Sequence, residues 1–422
     1  HIFSFAGKSM AFEGELSCIV SDPQKHGDKI GSFVTYAVNV TSTLPAYDGE
    51  EGSVRRRYSD FEWLRRGLQE NYPFVIIPPL PEKESLNVKG RFKDAFMERR
   101  RRALEVFLNR VCSHADLRES EILKSFLTAR TWDLESQKGS KISRKFDYMV
   151  RDVMKDADSL FLKMKKNSND KDAAKFEQLR QYVKNVEANL SQTEDLAKGI
   201  AKKKRALAAE YDQLGPVMNL IAQAEDQIAQ PMEAVANMFR NVGAVLEKAA
   251  SNDELCFVEP LREYVLLTKA VKSVLVNRDV AWQGYNIAVK DLSQARKDLE
   301  KATELLHAPE KRSKVSSFFG KLKDSNPAEK KKKLEEKVEE LEGTVEKEKI
   351  MCSNGTSKVL DEIRRFHEHK RVDFKAIMSE FVKAQIDYHA AVEQSWTDCL
   401  PSIDQISLDP KTPLRVVAEE KK

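Results

Sequence analysis

The chain has 422 residues, of which 41% are hydrophobic and 33% charged, with a formal net charge of +4. That balance is more charged than a compact enzyme shows and suits long solvated helices, so attraction to anions must come from local patches rather than from the whole molecule. Cys18, Cys112, Cys256, Cys352 and Cys399 are odd in number and widely spaced, without a CxxC pair, which argues against a disulfide framework or a zinc site and fits a reducing cytosol.

No run approaches the roughly 18 apolar residues needed to span a bilayer, and the opening residues lack a signal-peptide pattern, so any membrane contact is expected to be peripheral. The chain begins at His1 rather than Met, which points to a natural extension ahead of it.

From Met10 to Thr43 apolar and polar residues roughly alternate, as in Phe33-Val-Thr-Tyr-Ala-Val-Asn-Val40. That is the pattern of a half-buried antiparallel pair, with a turn between Asp22 and Gly31. Tyr47-Asp-Gly-Glu-Glu-Gly52 reads as a second turn, leading into a third strand that ends in Arg55-Arg56-Arg57. Guanidinium forks match phosphate geometry bidentately, and here they precede Tyr58, an aromatic face, where strand gives way to helix. Pro78, Pro79 and Pro81 cannot continue that helix and should form an extended arm that carries Lys83. Leu86, Val88 and Phe92 then alternate with basic residues. Such a loop suits insertion at a lipid interface, but equally an ordinary loop folded back on its own domain. Helices near 60–71, 94–113 and 117–128 complete an α+β domain.

Three stretches acquire more meaning together than singly: Tyr58-Ser-Asp-Phe-Glu-Trp-Leu64, the Pro78-Pro-Leu-Pro-Glu-Lys83 arm, and Phe96-Met-Glu-Arg-Arg-Arg-Arg-Ala-Leu-Glu-Val-Phe107. In this order and spacing they resemble the PX domain of sorting nexins. The resemblance implies that Arg57 grips the 3-phosphate of phosphatidylinositol 3-phosphate, that Tyr58 packs on the inositol ring and that Ser59 adds a polar contact. Lys83 takes the 1-phosphate. The ring hydroxyls fall to Arg100, although a slip of one residue within Arg99 to Arg102 would move that role.

Residues 141 to 166 place Ile142, Phe146, Met149, Val150, Val153 and Met154 on a helical stripe flanked by lysine and arginine. Two fates are open to it: insertion in a bilayer surface, with Phe146 and Val150 as contacts, or burial between domains. From about 172 the periodicity predicts three very long helices, near 172–250, 253–308 and 327–399, with bends at Gly215-Pro216, Pro231, Pro260 and Asn354-Gly355. Stripes of that length leave an apolar face wet, so a second copy is expected to cover it.

Following a PX domain, this region is similar to a BAR domain. The resemblance implies a curved dimer that binds bent membranes. Between the second and third helices lies a basic-aromatic cluster with Phe318, Phe319 and Lys321, placed to touch lipid at a helix end or to form a solvated connection. The expected organisation is a PX domain over 8–132, with a three-stranded sheet plus helices. A linker with an amphipathic helix follows over 133–170, then an all-α three-helix BAR domain over 171–402, and a disordered tail over 403–422.

Phosphate-binding glycine loops, a nucleophile elbow and a His-Glu-x-x-His motif are all missing, so neither catalysis nor a cofactor is expected. His367-Glu-His369 is the nearest approach to a metal pair, but residues two apart do not share a helical face, and no metal site is expected. The basic stretches come without a nucleic-acid module, so nucleic acid is not an expected partner.

What the resemblance implies is a peripheral protein on the cytosolic face of early endosome membranes. It would read phosphatidylinositol 3-phosphate and curvature together as a homodimer or as a heterodimer with another sorting nexin, with a retromer-like coat or cargo as further partners. The competing reading is a coiled-coil scaffold that the PX domain merely delivers to endosomes.

Overall fold

A computed structural model describes residues 16–27, 32–47, 52–82, 94–130, 132, 170–307 and 327–407. Strands β1 (Leu16–His26), β2 (Phe33–Ser42) and β3 (Gly52–Arg57) form an antiparallel sheet in that order, with Val38 opposite both Val20 and Val54. One face is apolar and buried through Leu16, Cys18, Val20, Val38 and Val54, as the period of two along a strand requires. At the bulge between Ser21 and Gln24, Asp22 takes a left-handed φ of 47°, a conformation that Asp tolerates better than most residues. Arg55 spans the bulge, giving Nη1 to the Asp22 carboxylate and Nη2 to its carbonyl, each at 2.8 Å.

Helices α1 (Tyr58–Asn71), α2 (Asp94–Cys112), α3 (Ala115–Arg118) and α4 (Glu121–Thr128) cover the apolar face. Phe61 meets Phe126 edge-on at 5.0 Å and Phe107 at 6.4 Å. An edge strand presents unpaired backbone groups, and α2 satisfies those of β1 with side chains. Glu105 accepts from the Val20 amide, Asn109 both accepts from and donates to Cys18, and Arg101 donates to the Val20 carbonyl. Residues 101, 105 and 109 share one helical face, so these bonds fix the rotation of α2.

The expected three long helices are present, with shifted ends. The first, α5 (Ala173–Ala224), contains Pro216 within its helical run, and the chain breaks at 225–228. The second comprises α6 (Ala229–Asp253), a π turn over Glu254–Val258 and α7 (Glu259–His307). Pro231 falls within the first turn of α6, where a missing amide leaves no bond unmade, whereas Pro260 follows directly on the π turn within one continuous helical run. The third, α8 (Pro327–Thr397), is unbroken at Gly355. A short α9 (Leu400–Ile403) follows, so the chain is regular slightly past the expected end of order. No described helix is long and apolar enough to cross a membrane.

The packing divides into two compact units. One takes residues 181–269 with those from 367 onward, and its core holds Met238, Val242, Leu246 and Cys399. Gly243 permits close helix approach here, because a Cβ would stand 2.8 Å from the Asp212 carboxylate and 3.1 Å from the Ala208 carbonyl. Lys204 and Gln385 both bond the buried Asp253, and Arg205 grips Glu254 bidentately. The same unit leaves Leu196, Ile200, Leu207, Leu214, Val382 and Ile386 exposed.

The other unit joins the sheet and its helices to residues 270–366. Arg278, 3% exposed, holds Asp170 bidentately at 2.6 and 3.0 Å and stacks on Phe176. Glu362 of α8 is buried against two parts of the α+β domain: Oε2 accepts from the Ile76 amide at 3.0 Å, and Oε1 lies 3.0 Å from His114 Nε2. Because His114 Nδ1 accepts from the Asp116 amide at 3.1 Å, that nitrogen carries no proton. Nε2 is therefore the donor, and the ring is neutral.

Burial depresses the pKa of His114 against the opposing pull of Glu362, while Glu362 itself, despite its burial, is held low chiefly by its bond from His114. With a depressed folded pKa, the unfolded chain protonates first on acidification. The His114 contribution is therefore complete above its ordinary pKa of about 6.5 and is lost as pH falls through the lower folded value. That of Glu362 fades in the same direction, at lower pH. Melting curves between pH 7.5 and 5.5 should show stability falling, and the fall should shrink in His114→Gln.

Candidate functional site

The three arginines before Tyr58 have three different environments, dictated by the strand's alternation. Arg56 follows Val54 inward and is 1% exposed; Arg55 and Arg57 point to the other face. The Arg56 guanidinium gives Nε to the Phe126 carbonyl, Nη2 to Ala129 and Nη1 to Arg55, and stacks 4.2 Å over Trp132. Desolvation lowers its pKa to about 10, so it remains charged at neutral pH. Arg55 is committed to the Asp22 bulge. The side chain of Arg57 is 45% exposed, 3.5 Å from Asp60 and 5.8 Å above the Phe33 ring.

Arg57 is also the N-cap of α1, and its amide donates to Asp60 Oδ2 at 2.7 Å, three residues on. This bond fixes the strand-to-helix corner. Burial raises the Asp60 pKa, opposed by the Arg57 amide and guanidinium. Tyr58 and Ser59 open the helix, where free amides favour anions. Ser59 is half-buried, with no partner for its hydroxyl among the described residues.

Tyr58 faces two ways. Its ring lies 4.6 Å from the Arg100 guanidinium, and its hydroxyl donates to the Pro81 carbonyl at 2.5 Å. Burial, with Glu62 nearby, raises its pKa, so it stays a donor. Arg100 also covers Phe96, one turn earlier on α2, at 4.4 Å. Arg101 belongs to β1 and Glu98, Arg102 pairs with Glu98, and Arg100 meets the tyrosine.

The structure therefore brings Arg57, Tyr58, Ser59 and Arg100 to one place. Lys83, Leu86, Val88, Phe92, Phe146, Val150, Phe318, Phe319 and Lys321 lie outside the described residues, as does the stretch 141–166.

Two further residues support this place and went unassigned in the sequence reading. Arg65 donates Nε to the Pro78 carbonyl at 3.0 Å, its pKa depressed by burial. Together with the Tyr58 hydroxyl it holds the proline arm by two carbonyls. Arg65 stands seven residues after Tyr58 and so shares its helical face, which was the available signal. Phe96 stands four before Arg100 on the same logic.

Among the described residues no group of His, Cys, Asp and Glu could hold a metal ion. Cationic forks, helix amides and an aromatic floor suit the binding of a phosphorylated ring.

Comparison with known proteins bears on the same residues. The PX domain family matches residues 44–130, and the family described as "Vps5 C terminal like" matches residues 150–402. Sorting nexin 1 of Arabidopsis thaliana is 29% identical over 395 residues, covering 92% of this chain and 92% of its own length. Sorting nexin-7 of Homo sapiens is 28% identical over 400 residues, covering 94% and 90%. The cryo-EM structure of the SNX-BAR Mvp1 tetramer superposes with a TM-score of 0.54 at 17% identity, over 91% of this chain and 99% of that one. At that identity the likeness speaks for the fold alone.

The contrast between neighbours gives a test of folding. Arg56→Ala should destabilise the protein by about 3 kcal/mol, because buried carbonyls lose their donors and Trp132 its stack. Denaturant unfolding measures it, and an effect below about 1 kcal/mol would mean that water replaces the guanidinium.

Proposed function

The chain belongs to the PX-BAR family of sorting nexins, and from that premise we propose that it binds phosphatidylinositol 3-phosphate and senses or induces curvature in endosomal protein sorting and transport. Proteins of this family are peripheral membrane proteins and non-enzymatic adaptors. The observation that carries the lipid reading is the Arg100 guanidinium over the Tyr58 ring, with the half-exposed Arg57 just before it at the N-terminus of α1. Two guanidinium forks and a flat ring at a helix N-terminus suit an inositol ring bearing a phosphate. In this reading Arg57 takes the 3-phosphate, Ser59 assists it, Arg100 takes ring hydroxyls and Lys83 the 1-phosphate. Leu86, Val88 and Phe92, then Phe146 and Val150, and finally Phe318, Phe319 and Lys321 add membrane contacts.

The long helices supply the second half of the proposal. Leu196, Ile200, Leu207 and Leu214 recur at steps of four and seven on α5, and Val382 and Ile386 are exposed on α8. Water-exposed apolar rows of this length favour a second copy, of this chain or of another sorting nexin. The membrane reached is the cytosolic face of early endosomes, where cargo or a retromer-like coat would join.

Arg57→Ala should remove a charge-assisted contact of about 1.5 to 3 kcal/mol and weaken binding to vesicles carrying the 3-phosphate lipid by roughly tenfold or more, with the fold intact. Unchanged binding removes Arg57 from the site. Light scattering at micromolar concentration should give the mass of two chains, and the mass of one would contradict the dimer. Electron microscopy of vesicles mixed with the protein should show tubules. Bound but undeformed vesicles would leave recruitment without remodelling.

A further inference from the structure

Residues 73–81 run between the long helices and the candidate headgroup site within one compact unit. At one end they are held by the long helices. Asn277 Nδ2 donates to the Pro73 carbonyl at 2.6 Å, and the buried Glu362 carboxylate accepts from the Ile76 amide at 3.0 Å. Phe74 lies against Gly355, where a Cβ would come within 2.7 to 2.9 Å of three ring atoms. At the other end the same segment is held by the lipid-site residues, through Arg65 to the Pro78 carbonyl and Tyr58 to the Pro81 carbonyl.

Between these anchors run Ile76, Ile77, Pro78 and Pro79, all buried. Proline fixes φ, so an extended Pro-Pro stretch transmits displacement instead of absorbing it.

Glu362 is singular within this arrangement. It is 3% exposed, and its two oxygens serve two different parts of the α+β domain, Ile76 and His114. Lys358 one turn before it pairs with Asp116, and Arg365 lies 3.8 Å from its Oε2. Mere docking of a domain onto a helix needs no hydrogen bond to the backbone immediately ahead of the arm. Apolar packing at Gly355 would suffice.

Resting on the phosphoinositide reading above, we infer that Glu362 and Asn277 of the long helices are positioning residues for the headgroup site. They set the proline arm on which the Tyr58 hydroxyl closes. The long-helix region therefore preorganises the lipid site as well as carrying it, and by linkage a bound headgroup must tighten the grip on Ile76 to the same extent.

The test uses the full chain and a soluble ligand, inositol 1,3-bisphosphate, so that membrane avidity does not enter. Glu362→Ala and Asn277→Ala should each weaken its binding by about three- to tenfold in calorimetry, while binding to anionic vesicles without phosphoinositide stays unchanged. Glu362→Gln, which keeps the volume and one acceptor, should fall between. In the wild type the ligand should slow hydrogen exchange at the Ile76 amide, a readout that a purely structural role would not move.

A folded Glu362→Ala with a lower melting temperature but unaltered affinity overturns the inference. If that variant does not fold, unaltered affinity in Asn277→Ala overturns it instead. A wild type that binds no inositol phosphate sinks the parent reading and this one with it, so the two failures are told apart.

Discussion

A guanidinium buried at the end of a strand holds the lipid-binding half of the molecule in order. The last carbonyls of a helix have no intrahelical donors, and at the end of α4 those of Phe126 and Ala129 receive them from Arg56. A charge so deeply buried is tolerated only when fully hydrogen-bonded and stacked, and Arg56 meets both conditions through three carbonyls and the Trp132 ring. Its inward position fixes the phase of β3. Arg57 must then turn outward, and Tyr58 must begin the helix. The geometry of the candidate site follows from a neighbour that never touches the ligand.

A second buried charge plays the matching part where the α+β domain meets the long helices. Burial keeps His114 neutral against the pull of the Glu362 carboxylate, which accepts from Nε2 while a backbone amide occupies Nδ1. The pair is thus a hydrogen bond between an anion and a neutral ring, which explains why burial can depress the histidine without breaking the contact. Next to it, the smallest side chain in the sequence lets Phe74 approach α8 at Gly355. Close approach, not flexibility, accounts for that glycine, and the helix passes through it unbroken.

Much of this was legible in the chain itself. The alternation of β2, the turn residues and the three long apolar periodicities each report local physics, and they yield the sheet, the helices and their order. Arg57, Tyr58 and Arg100 could be placed from motif spacing. The separate fates of Arg55, Arg56 and Arg57 were also implicit in the two-residue period of a strand, but three identical side chains mask it. Helix ends were harder. Pro216 looks like a break but lies inside α5, and the break at 225–228 carries no proline. The roles of Arg65, Asn277 and Glu362 were not legible, since each depends on which distant backbone group stands opposite, as with Glu362 and Ile76, 286 residues apart.

The division of labour between the two halves follows from the weakness of each alone. A headgroup site built from two exposed or half-exposed forks and a ring cannot be very tight, because solvent screens such charges and the ligand is small. With a net charge of only +4, the whole molecule offers little long-range attraction. Linking two modest sites changes the arithmetic. Once one chain of a dimer is bound, the second site meets its lipid at a high effective concentration, provided that both sites can reach the same surface. That proviso demands a defined geometry between each headgroup site and the helices that carry it. An arm anchored at Ile76 by the long helix and at Pro81 by the site's own tyrosine is a way to hold it.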